Sequence, residues 1–142
     1  MPSALKGQFQ RLLAAEHTAV YGYGVAGAHL RGRRRREAAA DLDAHRERRD
    51  HLRALIAELG STPTPAAPAY ALPARVDDAG SAARLLVRLE ESVAAYYADL
   101  VAMSHGDTRT FAALSLSDAA VRAARWRGRA VHFPGLPERS TR

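Results

Sequence analysis

Charged residues that interrupt apolar helical stripes are the side chains in this sequence with chemical potential. Glu16 stands four residues after Leu12 and three before Ala19. Glu90 stands four after Leu86 and three before Val93, and Asp118 four after Leu114 and three before Val121. His45 and Arg49 fall on a further stripe through Leu42, Leu52, Ile56 and Leu59. An isolated buried charge costs many kcal/mol, so such residues must be paired, neutralised or bound to metal. Carboxylates brought to one level of a helical bundle can hold two metal ions. That chemistry takes one Glu from each of two helices and a Glu-x-x-His motif from each of the other two.

The two single glutamates are present, as Glu16 and as Glu90 or its neighbour Glu91, but the paired motif is not. The second helix reads His45-Arg46-Glu47-Arg48-Arg49-Asp50-His51. Its acidic pair at the right spacing is Glu47 and Asp50, off the stripe, and Glu47 to His51 is a spacing of four. The fourth helix reads Asp118-Ala119-Ala120-Val121-Arg122, with Val121 where a histidine belongs. Arginines stand near the ligand positions instead. Arginine stays protonated and has no acceptor, so it does not bind metal, but it pairs carboxylates well. The expected site is therefore a buried charge layer of Glu16, His45, Arg46, Arg49, Glu90, Glu91, Asp118, Arg122 and Arg125. No catalytic residue and no cofactor are expected. The alternative is a divergent iron or manganese site made from Glu16, Glu47, Asp50, Glu90 and Asp118.

Four helical segments must position these groups. Apolar steps of three and four run over about 5–30 (Leu5, Phe9, Leu12, Ala19, Tyr23, Ala26, Leu30), 37–59, 79–103 and 108–128. Gly22, Gly24 and Gly27 weaken the first helix but admit a close neighbour. Gly60 suits the end of the second, and Asp77 or Asp78 the start of the third. The third carries Leu86, Leu89, Val93, Tyr96, Leu100 and Met103. The fourth carries Phe111, Leu114, Asp118, Val121 and Arg125, with a later start at Ser115-x-x-Asp118 as a competing choice.

Short links join the first helix to the second and the third to the fourth, giving two antiparallel hairpins. Residues 61–76 hold Pro63, Pro65, Pro68 and Pro73. Extended at about 3.1 Å per residue, this segment reaches roughly 50 Å, enough to pass a helix of about 33 Å. Two hairpins and one long crossover define an all-α, ferritin-like four-helix bundle. The whole chain, 1–142, is expected to be one domain, with 129–142 as a C-terminal tail.

Specific segments carry a family resemblance. They are Glu16-His17-Thr18-Ala19-Val20-Tyr21-Gly22-Tyr23-Gly24, His45-Arg46-Glu47-Arg48-Arg49-Asp50, Leu89-Glu90-Glu91 and Ala120-Val121-Arg122-Ala123-Ala124-Arg125-Trp126-Arg127, followed by Phe133-Pro134-Gly135-Leu136-Pro137-Glu138. Together they resemble a bacterial ferritin-like domain family of unknown function. The resemblance spans nearly the whole chain. It implies the bundle with a degenerate di-iron site, and no assigned activity.

Composition narrows the rest. The 142 residues contain no cysteine, which removes disulfides, thiolate catalysis and zinc-thiolate sites and suits a cytoplasmic protein. The amino terminus has no signal-peptide core and no apolar run suits a membrane span. The net charge of +6 is carried almost wholly by arginine. Arg31-Gly32-Arg33-Arg34-Arg35-Arg36 lies at a turn without interleaved aromatics, so it reads as a solvated run and not as a nucleic-acid surface. Tyr23 and Tyr96 are expected in the core, and Trp126 against the tail. His17, His29 and His105 have no ligand-like partner, and His45 and His51 point to different helix faces. The function that follows is a non-enzymatic structural or partner-binding bundle, as a homodimer or with an unknown protein partner. The rival is a divergent di-metal oxidase or peroxidase-like protein.

Overall fold

The computed structural model describes the backbone of residues 2–131 and the side chains of residues 3–129. It contains α1 (Pro2–Gly27), α2 (Gly32–Glu58), α3 (Ala79–Met103) and α4 (Gly106–Val131), and no strand among the described residues. The order is two antiparallel hairpins, α1–α2 and α3–α4, joined by the long crossover. Each helix end has a local cause. Gly60 takes φ +76, and Gly60 and Ser61 donate back to the Ala57 and Ile56 carbonyls, which closes α2. Asp78 opens α3 with a capping box: its carboxylate accepts from the Ser81 N–H while the Ser81 hydroxyl accepts from the Asp78 N–H. The fourth helix begins at Gly106 and runs unbroken through Ser115, so the competing start at Ser115 is not used. The first helix ends at Gly27 and not near Leu30, which sits buried in the turn.

The crossover lies along α1 instead of hanging free. Gln10 and His17, seven residues apart on one face, fasten it. The Gln10 amide donates to the Thr62 carbonyl and accepts from both the N–H and hydroxyl of Thr64. His17 Nε2 donates to the Thr64 carbonyl at 3.0 Å, because a carbonyl can only accept. Tyr21 stacks at a tilt on Tyr70, and Leu72 reaches Gly22.

Apolar packing forms two halves. One gathers Tyr23, Ala26, Leu30, Leu85, Leu86 and Trp126; the other Phe9, Leu12, Leu13, Leu52, Ile56, Tyr97 and Leu100. A band of buried polar side chains divides them. α1 packs against α2 and α3, and α3 against α4. Backbone contact between α2 and α4 is much slighter, and long side chains from both helices span that seam. The fourth helix turns a different face inward from the one its large apolar residues suggest. Ala112, Ser115, Ala119, Arg122, Ala123 and Trp126 are buried, whereas Leu114 and Val121 are 63% and 64% exposed. Tyr97, not Tyr96, is the fully buried tyrosine of α3.

Candidate functional site: a buried histidine between two glutamates

Mid-helix positions on α1, α2 and α3 deliver Glu16, His45 and Glu90 to the band between the two core halves, all fully buried. The His45 imidazole lies between the two carboxylates. Nδ1 is 2.7 Å from Glu16 Oε2 and Nε2 is 2.6 Å from Glu90 Oε1. Carboxylates accept and do not donate when ionised, so a ring facing one on each side must donate from both nitrogens. His45 is therefore an imidazolium. Burial alone pulls its pKa down, but the charges and hydrogen bonds of Glu16 and Glu90 outweigh that and raise it from 6.5 to about 9.

Each glutamate has a tyrosine. Tyr97 donates to Glu16 Oε1 at 3.1 Å, and Tyr23 donates to Glu90 Oε1 at 2.7 Å. Arg122 of α4 adds its Nε to the same Glu90 oxygen at 3.0 Å. Burial works to raise the Glu90 pKa, yet His45, Arg122 and Tyr23 together hold it below the usual carboxylate value. Burial, reinforced by the adjacent carboxylates, pushes both tyrosines well above their ordinary value. Two anions and two cations thus balance within the layer. Glu90 Oε2 and Arg122 Nη2 remain buried without a hydrogen-bond partner.

Tyr23 links this layer to a second cluster, with its hydroxyl 3.3 Å from Asp41 Oδ2. The same Asp41 oxygen accepts from the Trp126 indole at 2.8 Å and from Arg125. Further along the α2–α4 seam, Arg48 donates to Asp118 at 2.7 Å and Arg129 to Glu37 at 2.5 Å.

Sequence reasoning and geometry part at several positions. Arg49 shares the stripe of Asp41, His45, Leu52 and Ile56 but lies at its edge, and its long side chain turns outward, half-buried, to its neighbour Asp50. Arg46 is exposed and pairs with Asp43 on the same helix. Glu91 lies one residue beyond the inward face, where it meets Arg127 in the open. Asp118 is more than half exposed, since α4 presents Ala119 and Arg122 to the core in its place. Arg125 reaches inward to Asp41 and not to Glu16 or Glu90. Trp126 is fully buried on Asp41; residues 132–142, to which its expected tail contact belongs, lie outside the described residues. His51 is exposed and stacks on Phe111 with ring centres 4.3 Å apart.

Three contributors were missed. Asp41 is one helical turn before His45, and a step of four back from His45 reaches it. Tyr97 repeats after Glu90 the seven-residue interval from Glu16 to Tyr23. Arg48 follows His45 by three and shares its side of α2.

These residues do not fit two metals. A metal sits about 2.0–2.2 Å from each nitrogen or oxygen ligand, which spreads the donors apart. Here the imidazole nitrogens touch the carboxylate oxygens directly, and an arginine covers Glu90. Glu47, Asp50 and Asp118, the other members of the alternative ligand set, are exposed at the surface, with Asp118 bound to Arg48 and Asp50 to Arg49. Among the described residues, no group of three or more His, Asp or Glu side chains is arranged to hold a metal ion.

The helices, their connectivity and the central carboxylates define a ferritin-like four-helix bundle. Residues 9–138 match the domain of unknown function DUF4439, and the chain belongs to that family. Two solved structures are similar. A conserved hypothetical protein, Rv2844, from Mycobacterium tuberculosis is 32% identical, with a TM-score of 0.90 over 96% of this chain and 98% of that one. A ferritin-like, diiron-carboxylate protein from Bacillus anthracis is 14% identical, with a TM-score of 0.77 over 91% and 96% of the two chains; it shares the fold. No curated protein matches the chain.

Proposed function

We propose that the protein is a non-enzymatic ferritin-like bundle whose internal cations take the structural place of a metal pair. The observation that carries this reading is the His45 imidazolium spanning Glu16 and Glu90. It donates to both carboxylates, and with Arg122 it brings the layer to charge balance. A structural or partner-binding role follows, with a second copy or another protein docking on the outer side of α4 at the exposed Val121. The cysteine-free composition suits a cytoplasmic location. No helix among the described residues is long and apolar enough to cross a membrane.

Metal analysis of protein made in iron- and manganese-supplemented medium tests the reading. The expected content is well below one ion per chain and unchanged by Glu16→Ala or Glu90→Ala. Two ions per chain, lost in those variants, would overturn it in favour of a divergent di-metal oxidase or peroxidase. Sedimentation of the wild type against Val121→Arg tests the docking surface: a self-associating wild type and a monomeric variant support a second copy.

A further inference from the structure

The seam between α2 and α4 holds a groove of about 390 Å³, within the range of small-molecule sites. Its lining changes in character along its length. At one end stand Arg48, Arg122 and Ser115; at the other, Phe111, His51 and Leu114. A second cavity shares His51, Phe111 and Leu114 and extends the apolar end. Leu114 is largely exposed over this end, and the Phe111 and His51 rings are stacked beside it.

The basic end is under-satisfied. Arg48 uses one edge of its guanidinium on Asp118, and its Nη1 is buried with no hydrogen-bond partner. Arg122 uses Nε on Glu90, and its Nη2 is likewise buried and unpartnered. Buried donors of charged groups are expensive to leave unmade. Two such donors belong to residues lining one groove, between two helices whose mutual backbone contact is slight. A carboxylate offers two acceptor oxygens and is the geometric match for guanidinium donors. Glu47 and Asp118 also line the groove, and these carboxylates disfavour ligands of higher negative charge.

We propose that the α2–α4 groove binds a small organic monocarboxylate with an apolar body, its carboxylate between Arg48 and Arg122 and its body against Phe111 and Leu114. The proposal does not depend on the absence of metal from the central layer. Nor does it depend on what docks at Val121.

Phenylacetate is the probe, followed by two-dimensional NMR of the labelled full chain. Phenylacetamide tests the need for the charge, and inorganic phosphate the need for the apolar body. Phenylacetate should shift the amides around Arg48, Phe111 and Leu114 saturably, with the amide and phosphate at least about tenfold weaker. Arg48→Gln and Leu114→Glu should each weaken phenylacetate at least about tenfold. Leu114 is on the surface, so its variant keeps the test open should Arg48→Gln fold poorly. Three results would each overturn the proposal: no saturable shift with phenylacetate, equal binding of the amide or phosphate, or full affinity in folded Leu114→Glu.

Discussion

Tyr23 and Tyr97 are exchanged partners. Each lies seven residues after a buried glutamate on its own helix, and each donates to the glutamate of the other hairpin. The positions 16 and 90, 23 and 97, and 48 and 122 are all separated by the same interval of seventy-four residues. The same shift carries α1 onto α3 and α2 onto α4, so the bundle is built on a local two-fold relation between hairpins. The symmetry breaks at the centre, where the counterpart of His45 is Ala119. One imidazolium serves two glutamates, and the matching position on α4 holds a small, buried alanine. This asymmetry is why a layer with paired glutamates and paired tyrosines is bridged by a single histidine.

Replacing that histidine should therefore leave two charges buried. His45→Leu is expected to destabilise the fold by about 3–5 kcal/mol, the usual cost of removing one member of a buried pair. Adding Glu16→Gln and Glu90→Gln should recover a large part of the loss, because the stranded charges are then gone. Urea melts of the three proteins check this. A loss under about 1 kcal/mol in His45→Leu would show that the layer is held by other contacts.

The same contacts give stability a pH dependence with a definite sign. The His45 pKa rises from 6.5 unfolded to about 9 folded, so its contribution is complete below 6.5 and disappears as pH climbs through about 9. Glu90 is depressed from 4.5, so its contribution is complete above 4.5 and fades as pH falls below it. Within this layer stability should be greatest between those limits, and the alkaline loss should be on the order of 3 kcal/mol. Tyr23 and Tyr97 titrate well above 10 and do not enter that window. Urea midpoints at pH 6 and pH 9.5 measure the loss, and His45→Leu should flatten it. A wild-type midpoint equal at both pH values would contradict the imidazolium assignment.

What the sequence made legible depended on how much register information each helix carried. Glu16 and Glu90 were readable because large residues, Leu12 and Leu86, sit one turn away and fix the inward face. The crossover was readable because four prolines forbid a helix there. The fourth helix misled because its inward face is built largely from alanine, whereas Leu114 and Val121 face out. Alanine is apolar but marks no side of an alanine-rich helix. Choosing the large residues turned the expected face by one position, which is about 100° of rotation. That turn put Asp118 in the core on paper and hid Ala119. On α2, Arg48 and Arg49 flank the line through Asp41, His45, Leu52 and Ile56 on opposite sides, so spacing alone did not say which of them reaches α4.

Two glycines of α1 should respond oppositely to the same change. A methyl group at Gly22 would lie 2.4 Å from Leu89 Cδ1 and 3.4 Å from Leu72 Cδ2, whereas one at Gly24 meets nothing within 4 Å. Gly24→Ala should stabilise the helix by about 0.5–1 kcal/mol through propensity alone. At Gly22 the same gain opposes an overpacking cost of about 1–3 kcal/mol, since Leu89 must move within a filled core. Gly22→Ala should therefore be neutral to destabilising. Thermal melts of the pair decide it, and equal stabilisation by both would mean that α1 and α3 are less closely packed there than Leu89 indicates.

Arginines at 49 and 122 give the sharpest contrast between a surface pair and a buried one. Both replacements by methionine remove one positive charge and keep a side chain that suits a helix. Arg49 bonds the exposed Asp50 beside it, and such pairs are worth about 0–1 kcal/mol. Arg122 bonds a Glu90 oxygen that is wholly buried, so its loss leaves that carboxylate with His45 and Tyr23 alone against the cost of burial. Arg49→Met should change stability by less than about 1 kcal/mol, whereas Arg122→Met should cost several, up to about 3–5. Adding Glu90→Gln to Arg122→Met should not restore the wild type fully, because His45 then faces a neutral amide on one side. The order of the two single variants in urea decides the matter. If Arg49→Met is the more damaging, Arg49 must turn from Asp50 to a buried carboxylate, and the charge balance of the central layer would not rest on Arg122.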